Sequence, residues 1–415
     1  MRFICQLPAV CRLELAKRPE RKRVMFRRII ILVMDSVGIG AQLDAADYKS
    51  VGAHTFHHAA QAHPRFRVPN LEKLGIGNIV GISNIPTADK PLAHYGRMAE
   101  VTSGNDTFFG VWEMAGVIYK ERFTSFYPGM SVGLVREMQQ VLGTETLCNA
   151  YVSGFRVFDE YADEHYATGQ PIVYTCDDGV VLIAAHENVM PPARLHEIAW
   201  KMSRFFVGKN VARIIARTFI GEKGSFIRTK NRTDIVVPLD RSQEHLFQRM
   251  QEVGVPFIAT EHLTSIIGKE FVTVIIPGIM DSAGIMDSVC KYLGKNHSGV
   301  SMFVVPDFDM SGHGNKPNQY ARDIMYFDDR LGELLQLIGQ DDLLFIVADH
   351  GCDPVFVVRG HTREYVPLLV LNGSHQIGSN LGTRASFADL GQTICELIGA
   401  NPIPLGESFA LTIKE

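Results

Sequence analysis

The sequence predicts an α/β fold with a central, mostly parallel β-sheet and a smaller α+β domain inserted into it. Three observations lead to this prediction. The first strand candidate, 28–34, is a continuous aliphatic run, which is typical of a parallel strand buried on both faces. Strand and helix candidates alternate at both ends of the chain. The middle of the chain, 122–242, has a different pattern of short strands and amphipathic helices.

The elements at the two ends of the chain can be assigned in order. The segment 25–121 starts with the strand 28–34 and continues with helix candidates within 48–62 and 69–76. In the segment 243–415, β-branched runs predict strands and apolar periodicity predicts helices. The strand candidates there are 254–261, 300–307, 341–349 and 364–372, and the helix candidates are 284–294, 317–338 and 386–400, the last with Ser386 as its N-cap.

The middle segment, 122–242, is predicted to form an inserted α+β cap domain. Residues 171–187 predict two strands around a polar turn at 176–179. An amphipathic helix is predicted at 194–207 and a further strand at 211–221. The two end segments of the chain would then build one core together.

Composition is that of a soluble globular protein and gives no reason to expect a nucleic-acid or membrane partner. The 415 residues are 46% hydrophobic and 21% charged, with a net charge of −4. Seven scattered cysteines without a CxxC pair indicate reduced thiols and a cytoplasmic location. Residues 1–24 place a basic cluster after short apolar pieces, the reverse of a signal peptide. We expect them to be a loosely ordered extension, or Met25 to be the natural start.

Carboxylate and imidazole side chains follow the predicted strands where each strand ends. Ligands of open α/β sheets bind outside these carboxyl ends, and mixed oxygen and nitrogen donors suit Mn²⁺, Zn²⁺ or Mg²⁺. An aspartate after a strand is by itself more simply a turn former, but the repetition at several strand ends favours a metal site. The number of donors would fit two ions. The set is Asp35, Asp307, Asp309, His313, Asp349, His350 and His361.

A reacting hydroxyl is available in the stretch TSGNDTFFGVWE, residues 102–113. Thr102, Ser103 and Thr107 are the candidates, because a hydroxyl next to a divalent cation loses its proton more easily. Their spacing does not distinguish among the three, and a capped turn is the alternative interpretation. The sequence has no GxxxxGK[ST] loop and no GxGxxG fingerprint, which argues against the chemistries that those motifs support.

The sequence carries five motifs in order: MDSVGIG (34–40), SGNDT and GVWE (within 103–113), DFD followed by His313, ADHG (348–351) and HTREYVPLL (361–369). Together they resemble the bacterial phosphopentomutases, a family of the alkaline phosphatase superfamily. The resemblance extends from about Met25 to the end and includes VYTCDD (173–178) and IAAHE (183–187). It implies an alkaline phosphatase-like core with an inserted cap, and we expect a monomer.

The resemblance also implies a two-metal site and a covalent intermediate. The ions would be Mn²⁺, with Zn²⁺ or Mg²⁺ as alternatives, and a sugar bisphosphate would activate the enzyme. Thr107 would carry the phosphoryl group while ribose 1-phosphate, or its 2-deoxy form, is interconverted with the 5-phosphate. Asp35, Thr107, Asp349 and His350 would hold one ion, and Asp309, His313 and His361 the other.

Substrate contacts are implied in the cap, where Asp178, Arg217 and Arg232 match family positions of that kind. The planar fork of an arginine suits a phosphate, although a surface ion pair is the simpler interpretation of each arginine alone.

The chain also departs from the family pattern. Phe109 and Val111 stand where a hydroxyl and an imidazole are usual, Cys176 replaces a serine, and His262 replaces a lysine. The DFDMSGH motif is one residue shorter than usual. We therefore expect Val111, Cys176 and His262 to shape an altered substrate pocket.

Three other functions stay open at this point. A mutase for another sugar phosphate would use the same chemistry on a different substrate. A two-metal phosphatase of the same superfamily would transfer the phosphoryl group to water instead. A non-catalytic sensor of sugar phosphates would bind metal without forming phosphothreonine.

Overall fold

The computed structural model describes residues 26–121, 123–152, 156–175, 179–237, 243–277, 281–295, 297–356, 360–374 and 377–414. The predicted extension 1–24 and the predicted substrate contacts Cys176 and Asp178 lie outside these residues. Within the described ranges, no helix has the length and apolar character needed to cross a membrane.

The strands of the described chain form two sheets. In chain order they are β1 (Arg28–Met34), β2 (His94–Met98), β3 (Leu147–Tyr151), β4 (Ile172–Thr175), β5 (Val180–His186), β6 (Arg213–Ile220), β7 (Ile227–Val236), β8 (Phe257–Thr260), β9 (Val274–Ile276), β10 (Gly299–Val305), β11 (Asp342–Val347), β12 (Val366–Asn372) and β13 (Asn380–Arg384). The larger sheet has the order β13-β2-β12-β11-β1-β10-β8-β9, and the smaller one β3-β4-β5-β6-β7. In the larger sheet only β12 runs antiparallel to its neighbours. This confirms the predicted α/β fold with a mostly parallel sheet.

Helices connect and cover these strands. They are α1 (Thr55–Ala62), α2 (Pro69–Leu74), α3 (Thr107–Met114), α4 (Val132–Leu142), α5 (Arg156–Thr168), α6 (Pro192–Phe205), α7 (Leu246–Val253), α8 (Glu261–Ile267), α9 (Ser282–Leu293), α10 (Asp307–His313), α11 (Pro317–Leu335), α12 (Ala388–Leu397) and α13 (Ala410–Lys414). One group of helices packs around α11, namely α1, α2, α9 and α10, and another around α12, namely α3, α7 and α13.

The central strand β1 explains why the predicted donors meet. All seven of its residues are buried, because it lies between the parallel strands β10 and β11. The register places Met34 beside Val305, and Val33 beside Val347. The residues that follow these three strands are therefore neighbours at one edge of the sheet.

The smaller sheet is built from strands that all lie within the predicted cap segment, 122–242. Its inner strand β5 sends alternate side chains to two separate hydrophobic clusters, as the two-residue period of a strand requires. Val181, Ile183 and Ala185 pack with α4 and α6, whereas Val180, Leu182 and Ala184 pack with α5. The predicted domain boundaries themselves stay a prediction.

The predicted N-cap of the last long helix is wrong. Helix α12 begins at Ala388, and Phe387 occupies the N-cap position without a side-chain hydrogen bond. The Ser386 hydroxyl accepts a hydrogen bond from the Ala388 N–H at 3.0 Å and donates one to Glu113 Oε1 at 2.8 Å. The Ser386 hydroxyl therefore links the start of α12 to the buried Glu113 carboxylate on α3.

Candidate metal centre and nucleophile

The first group of donors lies at the carboxyl ends of β1 and β11. His350 Nε2 lies 3.5 Å from Asp35 Oδ1 and 3.7 Å from Asp349 Oδ2, and all three side chains are buried. Asp349 Oδ2 has no hydrogen bond from any described residue. A buried carboxylate oxygen without a donor is costly unless a cation compensates its charge.

The second group lies on α10 and on the loop that precedes β12. Asp309 Oδ1 lies 3.4 Å from His313 Nε2, one helical turn away, and 3.3 Å from His361 Nε2. The two imidazole nitrogens are 3.0 Å apart. These side chains are more exposed than the first group, so this half of the site is open to solvent.

Asp309 connects the two groups. One ligand atom from each of Asp309, His313 and His361 lies within 4.8 Å of the other two. The same holds for one ligand atom from each of Asp309, Asp35 and His350. The resemblance implied Asp309 for the second ion alone. The geometry places its carboxylate next to donors of both, as expected for a group between two closely spaced cations.

Burial and mutual repulsion raise the pKa values of Asp35 and Asp349. Burial and the charges of Asp349 and Asp309 raise the pKa of Asp35 well above its ordinary value. Burial and the charge of Asp309 raise the pKa of Asp349 to about 6, against the opposing hydrogen bond from Ser36. A site that concentrates negative charge in this way is suited to positive ions.

His350 is in the protonation state that a metal ligand needs. Burial and the nearby His361 lower the pKa of His350 well below its ordinary value, so its imidazole is neutral at pH 7. Its Nδ1 lies 3.3 Å from the carbonyl oxygen of Gly351. A proton on Nδ1 donates to that carbonyl and leaves the Nε2 lone pair facing Asp35 and Thr107. The donor set therefore fits two divalent cations.

A strained residue orients Asp349. Ser36 has a φ of 71°, the left-handed region that is unfavourable for a residue with a side chain. Its backbone N–H donates to Asp349 Oδ1 at 2.9 Å, and the Tyr320 hydroxyl donates to its carbonyl oxygen at 2.8 Å. Sequence reasoning missed this role, because a serine after a strand indicates only a turn.

The geometry separates the three candidate hydroxyls. Thr107 Oγ1 lies 3.4 Å from Asp35 Oδ1 and 3.4 Å from His350 Nε2. The Ser103 hydroxyl instead donates to the carbonyl oxygen of Lys120 at 2.6 Å. The Thr102 hydroxyl is buried without a hydrogen bond from the described residues. Only Thr107, the first residue of α3, brings its oxygen to the donors of the proposed metals.

Arg363 fixes the loop that leads to Thr107. Its guanidinium donates to the carbonyl oxygens of Glu100 at 2.6 Å, Thr102 at 2.8 Å and Gly104 at 3.2 Å. It also forms an ion pair with the buried Glu100 carboxylate at 2.9 Å. The signal for this role was an arginine inside the HTREYVPLL motif, but its partners are too distant along the chain to be predicted.

We expect Arg363→Lys to lower the free energy of unfolding by about 2–4 kcal/mol, since an ammonium cannot serve all these carbonyls. Urea denaturation measures the change. The exposed Arg194, paired with Glu197 on α6, provides a matched control, and Arg194→Lys should change stability by less than about 0.5 kcal/mol. Equal stability of the two variants would contradict the structural role of Arg363.

The predicted cap arginines lie together on the smaller sheet. Arg217 and Arg232 are directly opposed on β6 and β7, and Arg232 also binds Asp234 through two hydrogen bonds of 2.6 and 2.5 Å. Burial and the charge of Arg232 lower the pKa of Arg217 to about 10. Arg217 Nε is buried without a hydrogen bond among the described residues. This face therefore has cationic groups available for an anion.

Arg213 is a further member of this face that the sequence did not single out. It is on the same face of β6 as Arg217 because the two are four residues apart on one strand. Burial and the charge of Arg213 lower the pKa of His262 to about 4. The same charge opposes the burial that raises the pKa of Asp106, the residue before Thr107. The predicted contact His262 is thus a neutral imidazole where cap and core meet.

Val111 has no exposed surface, so its predicted contact with substrate has no support in this arrangement. It follows Thr107 by one helical turn on α3 and packs in the main hydrophobic core. Glu113, which the sequence did not single out, accepts hydrogen bonds from the backbone N–H groups of Val101, Thr102 and Phe387. Both residues secure α3 in the core.

Comparison with known proteins gives concordant results. The family model of the metalloenzyme superfamily matches residues 27–402. A phosphopentomutase from Acetivibrio thermocellus is 40% identical over 92% of this chain and 98% of its own. One from Clostridium kluyveri is 38% identical over 89% and 95%, respectively. Among solved structures, the PH0037 protein from Pyrococcus horikoshii has 12% identity and a TM-score of 0.47, covering 91% of this chain and 98% of that one.

Proposed function

Because the chain belongs to the phosphopentomutase family of the metalloenzyme superfamily, we propose that it interconverts ribose 1-phosphate, or its 2-deoxy form, with the 5-phosphate. The enzyme is a phosphotransferase of the mutase class. The observation that carries the proposal is the position of Thr107 Oγ1, 3.4 Å from both Asp35 Oδ1 and His350 Nε2.

Thr107 is proposed to be the residue that is phosphorylated. Its hydroxyl oxygen gives up its proton and forms a bond to one phosphorus of the bisphosphate, while the bond from that phosphorus to the sugar oxygen breaks and the sugar oxygen takes up a proton. Transfer from phospho-Thr107 to the other end of the sugar monophosphate then gives a bisphosphate, and the reverse step at the first end regenerates the phosphothreonine. Thr107 is the first residue of α3, so the positive end of the helix dipole lies beside the added charge.

The proposed ligands follow the two groups of donors. Asp35, Thr107, Asp349 and His350 would hold one ion, and Asp309, His313 and His361 the other. Two divalent cations, for which we propose Mn²⁺, would lower the pKa of the Thr107 hydroxyl and offset the charge of the phosphoryl group. The hydrogen bond from Ser36 and the contact of His350 with Gly351 orient two of these ligands before any ion binds.

The cap supports transfer to a sugar in preference to water. Arg217 Nε is buried without a hydrogen bond among the described residues, and Arg213 lies on the same face of β6. A sugar with a phosphate at each end requires cationic groups away from the metals, whereas a phosphatase needs only the metal half. We therefore propose that the basic face binds the phosphate that is not reacting.

The test is incubation with ribose 5-phosphate, Mn²⁺ and a catalytic amount of ribose 1,5-bisphosphate. We expect ribose 1-phosphate to form, and product analysis by phosphorus NMR distinguishes it from inorganic phosphate. Inorganic phosphate without ribose 1-phosphate would identify a phosphatase. A panel of other sugar monophosphates tests the alternative of a related mutase, which predicts faster turnover of one of them.

A further inference from the structure

A short linker, which includes residues 119–121 and 123–124, joins the loop of the proposed nucleophile to the cap. At its start, the Ser103 N–H donates to the carbonyl oxygen of Tyr119 at 2.9 Å, and the Ser103 hydroxyl donates to that of Lys120 at 2.6 Å. At its end, the carbonyl oxygen of Thr124 accepts a hydrogen bond from the Gly179 N–H at 3.0 Å. The linker is therefore attached to the core at one end and to the cap at the other.

An aromatic stack lies in the middle of this connection. The rings of Phe109, on α3, and Phe123, on the linker, have centroids 4.2 Å apart and planes inclined by 28°. Both are nearly completely buried, at 3% and 6% exposure. The stack therefore joins α3 of the core directly to the linker.

Two glycines allow the stack to form. A Cβ on Gly104, in the nucleophile loop, would lie 1.7 Å from the Phe109 ring. A Cβ on Gly179, in the cap, would lie 2.5 Å from Phe123. Since real contacts are never this short, the stack packs against bare backbone on both sides.

The cap end of the connection reaches the basic face. The carbonyl oxygen of Gly179 accepts hydrogen bonds from the N–H groups of Ala212 at 2.8 Å and Arg213 at 3.2 Å. Arg213 is the first residue of β6, and Arg217 follows on the same face. A continuous packed route therefore joins Thr107, two residues before Phe109, to the arginines of the cap.

We propose that Phe109 and Phe123 are positioning residues that hold the basic face of the cap in place over Thr107. The inference rests on the proposed mutase function and deepens it. The stack keeps the cap seated while the bisphosphate is bound and fills the junction that water would otherwise enter. Without it, a water oxygen attacks phosphorus more often, the bond to the Thr107 oxygen breaks, and inorganic phosphate is released in place of sugar phosphate.

The experiment compares Phe109→Leu, Phe123→Leu and the double variant. These changes remove the aromatic rings but keep the side chains apolar. With ribose 5-phosphate and the bisphosphate primer, we expect each single change to raise the ratio of inorganic phosphate to ribose 1-phosphate by about three- to tenfold. KM should rise more than kcat falls. The double variant should resemble the single ones, because each change alone already removes the stack.

The matched control is Phe206→Leu, in the cap core, where Phe206 meets Phe126 with ring centroids 6.1 Å apart. Phe206 is also fully buried, so the control has a similar effect on stability but should leave the product ratio unchanged. A change in ratio with Phe206→Leu equal to that with Phe109→Leu would overturn the proposal. If one of the stack variants fails to fold, the other decides.

Amide hydrogen exchange separates this proposal from the mutase function itself. Although Phe109 lies in the core, Phe109→Leu should accelerate exchange of the cap amides of Gly179 and Ala212. Phe206→Leu, in the cap, should leave exchange of the Ser103 amide in the core unchanged. If the wild-type chain forms no ribose 1-phosphate, the proposed function fails, but faster exchange at Gly179 still supports the coupling. Unchanged exchange at Gly179 in both stack variants would overturn it.

Discussion

Replacing Thr107 by valine is expected to lower kcat for the interconversion of ribose 1- and 5-phosphate by about 10³-fold or more. Valine keeps the shape of the side chain but has no oxygen to carry the phosphoryl group, and loss of a covalent nucleophile typically has effects of this size or larger. A steady-state assay with bisphosphate primer measures the loss. Intact mass should show no phosphorylated species in this variant.

The same loop provides a matched control. Thr102 is fully buried, and its hydroxyl forms no hydrogen bond with the described residues, so Thr102→Val should fold and retain activity within about twofold of wild type. Activity of Thr107→Val comparable to that of Thr102→Val would contradict a covalent role for Thr107.

Asp309→Asn is expected to lower kcat by about 10³-fold and to reduce the amount of divalent metal, proposed to be Mn²⁺, that the protein binds. Asp309 is the residue that belongs to both groups of donors, so its charge would contribute to holding both proposed ions. Each proposed ion would offer several kcal/mol of stabilisation to the transferring phosphoryl group, which corresponds to a loss of this order. Metal analysis by mass spectrometry and steady-state kinetics measure the two effects.

Asp307→Asn is the control for this change, because Asp307 lies two residues earlier on the same helix. Its carboxylate accepts a hydrogen bond from the Ser282 N–H at 3.3 Å and belongs to neither group of donors. The control should retain its Mn²⁺ and most of its activity. Full Mn²⁺ content in Asp309→Asn would contradict the placement of Asp309 between the two ions.

The strands and the donors at their ends could be predicted because both have local signals. The aliphatic run of β1 indicates a buried strand, and parallel neighbours bring the residues that follow them to one edge. The short helices α3 and α10 were not predicted, because each has fewer than nine residues and is too short to show a clear helical period. Acidic residues and a histidine interrupt the apolar pattern of α10, and every residue of α3 after Thr107 is buried, so neither helix has a one-sided apolar period.

Contacts between distant segments could not be predicted. Arg363 binds carbonyl oxygens about 260 residues earlier in the chain, and Ser36 donates to a carboxylate 313 residues away. Such partners depend on the completed fold and have no signature in a single sequence. The same limit applies to Asp309, whose position between two groups of donors arises only when α10 meets β1.

The position of Val111 was also beyond prediction from the sequence. A departure from the family motif next to Thr107 suggested a residue that contacts substrate, yet a helix turns by about 100° per residue. Val111 comes four residues after Thr107, so both are on the same side of α3. Val111 lies one helical turn further along the helix, however, and is buried in the core. Phe109 is the departure that gains a specific partner, through its stack on Phe123.

The most direct measurement for phosphoryl transfer through Thr107 is a chase of radiolabelled phosphoenzyme. The chain is first incubated with ribose 1,5-bisphosphate that carries labelled phosphate, and peptide mapping locates the label. Unlabelled ribose 5-phosphate is then added. We expect the label on Thr107 and its transfer to the C1 oxygen of the sugar, with ribose 1-phosphate as the labelled product. Label that stays on the protein while ribose 1-phosphate forms, or that leaves only as inorganic phosphate, would contradict the account.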